Sequence, residues 1–149
     1  MTTIALIGAG GKMGCRLTDN FSKSAYDVRY VEVSQQGIQN LESRGKTCSD
    51  AHAVVPESDV VILAVPDVAI GKVAADLVPK MKHGFLLMTL DPAVPLADWL
   101  PKRTELGCVI AHPCHPSVFN WEPTEKDFRD FYGGITAKQA IVVALMWGR

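Results

Sequence analysis

Seven residues near the N-terminus, Gly8-Ala9-Gly10-Gly11-Lys12-Met13-Gly14, constrain the fold of this chain more than any other segment. They follow a short apolar run, Ile4-Ala5-Leu6-Ile7, which reads as a buried parallel strand. After them Met13, Leu17 and Phe21 recur at i, i+4 and i+8, the spacing of one helix face. In a strand–turn–helix of this kind Gly8 permits the tight turn. Gly10 or Gly11 lets the backbone approach a pyrophosphate, and Gly14 lets the helix pack close to the sheet. The N–H groups and dipole at the helix start attract phosphate oxygens. The third glycine falls one place later than in the strict GxGxxG form. A glycine-rich turn without a ligand is the alternative. An NTPase phosphate loop is disfavoured, because Lys12 is followed by Met13 where that motif needs Ser or Thr.

Strand and helix signals then alternate. Asp27 to Val33 reads as the second strand, and Gln35 to Arg44 as a polar helix closed by Gly45. Lys46 to Ser58 is irregular, cut by Pro56. Asp59 to Val65 is the strongest strand, followed by a helix with Ile70, Val73, Ala74 and Leu77 on its buried stripe. Further strands are expected over Gly84 to Leu90 and Gly107 to His112, with mostly loop over Asp91 to Arg103. The expected fold is α/β, a Rossmann-type, doubly wound, mainly parallel sheet over residues 1–134. From Thr136 a new helix is expected. Residues 135–149 then read as the start of a helical second domain at the C-terminus.

Glu32 lies 18 residues after Gly14, near the end of the second strand. A carboxylate there accepts hydrogen bonds from an adenosine ribose and repels a 2′-phosphate, which favours NAD over NADP. A surface glutamate is the alternative. Val65 and Pro66 end the third strand and wall the nicotinamide side of the crevice beyond the strand ends, unless Pro66 is only a strand stop.

His112-Pro113-Cys114-His115-Pro116 follows the last clear strand. Three roles are open for it: acid–base or substrate contact, metal ligation, or a proline-stiffened structural loop. Lys138 sits early in the expected last helix, either as an acid/base with a lowered pKa or as a solvated lysine.

Composition narrows the function classes. The chain has 149 residues, one ordinary domain, with 15 Lys plus Arg against 16 Asp plus Glu for a net charge of −1. That balance gives no electrostatic claim on nucleic acid or anionic membrane. The longest apolar runs, Val60 to Val65 and Ala140 to Trp147, fall short of the roughly 20 residues of a membrane helix. A cytoplasmic location is expected, with Cys15, Cys48, Cys108 and Cys114 as free thiols. The apolar residues Ile141, Val142, Leu145, Met146 and Trp147 need cover, so self-association into a homo-oligomer or a continuation of the chain is expected.

Ile4 to Gly14 together with Ala64-Val65-Pro66-Asp67 resembles the β-hydroxyacid and 6-phosphogluconate dehydrogenase-like superfamily. Segments 8–14 (GAGGKMG), 112–120 (HPCHPSVFN) and 131–146 (FYGGITAKQAIVVALM) resemble the D-apionate oxidoisomerase family within it. The resemblance implies NAD-dependent oxidation of a branched sugar acid, a small-molecule hydroxy acid, coupled to a carbon-skeleton shift. It implies Lys138 as the acid/base, although Val142 stands where the superfamily usually carries asparagine. In the same scheme His112 borders nicotinamide and substrate, and Gly8, Gly11, Lys12, Met13 and Gly14 hold the cofactor. A carbon shift beside a carbonyl is helped by a divalent metal ion, and His115 is the candidate ligand. A cofactor-binding module without activity, or a ligand-sensing domain, are the rival expectations.

Overall fold

The computed structural model describes residues 1–114, 121–130 and 133–148. Six strands form one sheet in the order β2-β1-β3-β4-β5-β6. They are β1 (Thr3–Ile7), β2 (Asp27–Val31), β3 (Val60–Leu63), β4 (Leu86–Thr89), β5 (Gly107–Cys114) and β6 (Ala140–Trp147). The first five pair in parallel. β1 lies between β2 and β3, with Ile4 opposite both Val28 and Val60. The direction of strand addition therefore reverses between β1 and β3, which opens a crevice at their carboxyl ends.

Helix α1 (Lys12–Phe21) follows the glycine turn, and α2 (Gln35–Glu42) follows β2. Ser34 caps α2 by accepting the Gly37 amide at 3.1 Å. The irregular stretch before β3 resolves into a short helix, α3 (Ala51–Val54), and a 3₁₀ turn carrying Pro56. α4 (Asp67–Leu77) follows Pro66, α5 (Ala93–Leu96) is a single turn, and α6 (Glu125–Phe128) lies after β5.

The two-residue period of the strands divides the core in two. Ala5, Ile7, Val61, Leu63 and Leu87 face Ile70, Ala74 and Leu77 of α4. Ile4, Leu6, Tyr30 and Ile62 face the other way, against Leu17 and Phe21 of α1 and Leu41 of α2. Burial on both faces explains why these strands read as continuous apolar runs. Among the described residues no helix is long and apolar enough to cross a membrane.

The C-terminal expectation is corrected. From Thr136 onward the described residues form no helix. Ala140–Trp147 forms β6, antiparallel to β5, with Cys114 opposite Ala140 and His112 opposite Val142. The β-branched run Ile141-Val142-Val143 suits a pleated strand, and the open edge of β5 supplies its hydrogen bonds. β5 itself runs two residues past the expected His112. Met146 and Trp147 pack on the core, while Ile141, Val142, Val143 and Leu145 stay exposed.

Candidate functional site: a crevice at the carboxyl ends of β1 and β3

The glycine turn is built as its spacing implies, with each glycine in a separate role. Gly8 has φ +80°, and its amide and that of Ala9 both donate to the Val31 carbonyl, at 2.9 and 3.0 Å. A Cβ on Gly14 would lie 2.0 Å from the Gly8 carbonyl oxygen, so its bare Cα sets the close approach of α1 to the turn. Sequence alone left Gly10 and Gly11 interchangeable, and the structure separates them. A Cβ on Gly10 would lie 2.1 Å from the Gly37 carbonyl oxygen, so Gly10 is reserved for α2. A Cβ on Gly11 would meet nothing closer than the Gly8 carbonyl oxygen at 3.4 Å, and Gly11 lines the crevice. Gly11 also caps α1 without a side chain. Among the described residues the first amides of the helix thus have no side-chain cap, the arrangement that receives an anion.

Glu32 stands just past β2, and both its oxygens are engaged. Oε2 accepts the Gly10 amide at 3.0 Å. Oε1 accepts the Val33 amide, the Ser34 amide and the Ser34 hydroxyl at 2.9, 3.0 and 3.1 Å. Partial burial pushes this carboxyl up, but these donors outweigh burial and hold it below the usual glutamate value. Asn40 completes the clamp by donating to the Gly10 carbonyl at 2.9 Å.

A crevice of about 360 Å³ opens between these elements. Gly11, Lys12 and Met13 form one wall, Val65, Pro66 and Asp67 another, and Leu90, Asp91 and His112 the floor nearer β4 and β5. Thus Gly11, Lys12, Met13, Val65, Pro66 and His112, singled out from sequence, meet in one place. His112 Nδ1 lies 2.8 Å from the Leu90 carbonyl oxygen. A carbonyl only accepts, so Nδ1 carries a hydrogen, and in the neutral ring Nε2 then holds the lone pair.

Lys138 is not among these residues. It is exposed, in the segment between Gly134 and β6, and lines a separate recess with Cys114, Trp121 and Ala137. His115 lies outside the described residues. Among the described residues no three His, Cys, Asp or Glu side chains are grouped to hold a metal ion.

Sequence reasoning missed Asp67 and Asp91 in the crevice, although Asp67 directly follows the wall residue Pro66. It also missed the anchoring of the Gly133–Lys138 segment. Asp130 is buried, and its Oδ2 accepts the amides of Ile135, Thr136 and Ala137 at 2.9, 2.9 and 3.2 Å. Its Oδ1 pairs with Arg16 of α1, which also donates to the Gly133 carbonyl at 2.9 Å. Nothing in the linear spacing of Arg16 and Asp130 announces this pair.

The residues present fit a dinucleotide. Its pyrophosphate has a side-chain-free approach at Gly11, and a carboxylate stands beyond β2 where the ribose of such a ligand lies.

Comparison with known proteins gives the same picture. D-apionate oxidoisomerase from Cupriavidus necator is 51% identical over 146 residues, 97% of this chain and 53% of its own length. D-apionate oxidoisomerase from Rhizobium rhizogenes is 51% identical over 149 residues, 99% of this chain and 54% of its own length. The chain thus spans about half the length of these curated relatives. The crystal structure of a semialdehyde dehydrogenase NAD-binding protein from Cupriavidus necator, in complex with calcium and NAD, superposes with a TM-score of 0.89. It shares 49% identity and covers 100% of this chain and 54% of its own. The family model of the phosphogluconate dehydrogenase (decarboxylating) C-terminal region matches residues 120–149. A second model, NADP oxidoreductase coenzyme F420-dependent, matches residues 3–90, more than half of the sequence, and it is to this family that the chain belongs.

Proposed function

We propose that the protein is an NAD-dependent oxidoreductase that oxidises a branched sugar acid of the D-apionate type and couples the oxidation to a carbon-skeleton rearrangement. The observation that carries this reading is the crevice in which the glycine turn, the β3 end and His112 converge. The likeness to D-apionate oxidoisomerases along almost the whole chain supports the substrate class. Gly8 and Gly14 shape the turn, and Gly11, Lys12 and Met13 present amides and a cation to the pyrophosphate. Glu32 retains acceptor capacity on Oε2 for a ribose hydroxyl, and its charge repels a 2′-phosphate, so NAD is favoured over NADP. Val65 and Pro66 wall the nicotinamide side. Bound NAD supplies a hydride acceptor.

His112 borders the reacting carbon. Lys138 remains the acid/base candidate for the rearrangement, and a divalent metal ion held by His115 would polarise substrate oxygens. The exposed apolar strand β6 supports a homo-oligomer, and the near-zero net charge fits a soluble cytoplasmic enzyme acting on a small molecule. Incubating the protein with D-apionate, NAD and a divalent cation tests the reading by absorbance of NADH. Silence with D-apionate but turnover of another hydroxy acid would keep the class and reject the substrate. NAD binding with no oxidation of any hydroxy acid would reject the enzyme.

A further inference from the structure

The proposed oxidation needs a group that removes the hydroxyl proton as hydride leaves the same carbon. Lys138, the residue the family resemblance suggests, is exposed and lines a recess apart from the crevice. Among the described residues, four ionisable groups line the crevice itself: Lys12 from α1, Asp67 from α4, Asp91 after β4 and His112 from β5. Asp91 Oδ1 is committed to the Ala93 amide at 2.7 Å, opening α5. Asp67 opens α4 and lies on the wall beside Pro66. Lys12 is at the helix start, where the amides and dipole receive the pyrophosphate. His112 alone of the four combines a position at the nicotinamide end with a fixed tautomer, through the 2.8 Å contact from Nδ1 to the Leu90 carbonyl. Among the described residues Nε2 has no hydrogen-bond partner.

We infer that His112 is the proton acceptor of the oxidation, and that the Leu90 carbonyl selects Nε2 as the atom that accepts. This assignment rests on the oxidoreductase reading of the crevice. In the step, the O–H bond breaks and its proton goes to Nε2. The electron pair of the C–H bond leaves as hydride to the nicotinamide ring, and the carbonyl forms. The imidazolium then returns the proton to solvent. The carbonyl bond matters because the opposite tautomer would present an N–H to the substrate hydroxyl and could not accept its proton. Leu90 is in this sense a positioning residue acting through its backbone, which side-chain substitution cannot remove.

The first test reads the tautomer without activity. Long-range ¹H–¹⁵N correlation spectra of the ¹⁵N-histidine-labelled protein, with His112 assigned by its loss in His112→Asn, are expected to show neutral His112 protonated at Nδ1. A neutral Nε2–H form would overturn the assignment. The second test compares rates. Asn can still donate to the Leu90 carbonyl but offers no base. His112→Asn should keep NAD affinity within about twofold and lose about 100-fold or more in kcat, within the span of general acid–base effects. The acid limb of its kcat/KM profile should vanish, and added imidazole should restore part of the rate to His112→Ala. If His112→Asn keeps wild-type kcat and its acid limb, or Lys138→Ala removes that limb instead, His112 is not the base while the enzyme reading stands. A wild-type protein that binds NAD but oxidises no hydroxy acid would overturn the enzyme reading, and this assignment with it.

Discussion

The carboxylate of Glu32 accepts the amide of Gly10 across 22 positions of sequence, at 3.0 Å. A residue expected to meet the ribose of a cofactor therefore also holds the phosphate loop in shape before any cofactor arrives. The same side chain fills the space beside Gly37, where a Cβ would lie 2.4 Å from the Glu32 carboxyl carbon. β2, α2 and the glycine turn are locked together at this one carboxylate.

Exchanging Glu32 should therefore not convert cofactor preference. Glu32→Ala leaves the Gly10, Val33 and Ser34 donors without their acceptor. Since hydrogen bonds to charged groups contribute about 1.5–3 kcal/mol, a stability loss of about 2 kcal/mol is expected. Calorimetric titration should show NAD weakened at least about tenfold, equivalent to about 1.4 kcal/mol, with no compensating gain for NADP. Tight NADP binding by this variant, with an unchanged melting temperature, would show that Glu32 acts on the ribose alone.

Gly10 and Gly11 are neighbours with opposite sensitivities. Gly10→Ala drives a methyl group into the Gly37 backbone, and overpacking of this kind costs about 1–3 kcal/mol. Its melting temperature should fall by several degrees. Gly11→Ala meets only ordinary contacts and should melt like the parent, yet its methyl group occupies the crevice and should abolish measurable NAD binding. Equal melting temperatures for the two variants would contradict the division of roles.

Asp130 should make stability depend on pH. Burial pushes its carboxyl up, but the amides of Ile135 and Thr136, Arg16 and the Ala137 amide outweigh it and hold it well below the usual aspartate range. A depressed folded pKa stabilises fully above the unfolded value of about 4, and the contribution is lost as pH falls through the folded value. Asp130→Asn should thus be less stable than wild type at pH 7, by about 2 kcal/mol, the size of lost charged hydrogen bonds. Urea melts across an acid series should show the two proteins converging toward low pH. A gap that stays constant with pH would mean that the charge of Asp130 contributes nothing.

The exposed edge strand gives a prediction about association. β6 carries no charged residue from Ala140 to Trp147, and its side chains at 141, 142, 143 and 145 are each more than half exposed. Lysine on an edge strand opposes strand pairing. Val143→Lys should weaken self-association by about tenfold or more while leaving the monomer folded, since Val143 is 65% exposed. Light scattering over a concentration series reads this. Identical mass profiles for variant and parent would remove β6 from the interface.

The cysteines should differ in reactivity. Cys108 is fully buried in the core, and burial pushes its thiol up to about 11. Cys15 is buried and its thiol is also raised by burial. Cys48 and Cys114 are half-buried. Mass spectrometry after brief alkylation of the native protein should find label on Cys48 and Cys114 before Cys15 or Cys108. Early labelling of Cys108 would mean that the sheet opens locally at β5.

Sequence alone determined the parallel part of this protein. β1, β3 and β4 are short apolar runs because parallel strands are covered on both faces, and the glycine spacing announces a tight turn into a helix whatever the rest of the chain does. Glu32, Val65 and Pro66 were singled out because each stands just past a strand and His112 because it lies near the carboxyl end of one, and in an open parallel sheet these ends share one edge. Other features were decided only in three dimensions. Ala140 to Trp147 is apolar without a break, so its period fits a helix or a strand equally well. Only the vacant edge of β5, more than 25 residues back along the chain, makes it β6. Gly10 and Gly11 are identical as residues and differ only because α2 presses on one of them. Lys138 directly follows the segment held by the Asp130–Arg16 pair, a contact across 114 positions that no local pattern encodes. Local physics writes secondary structure and turns into the sequence, whereas edge pairing and long-range ion pairs exist only once the sheet has brought distant segments together.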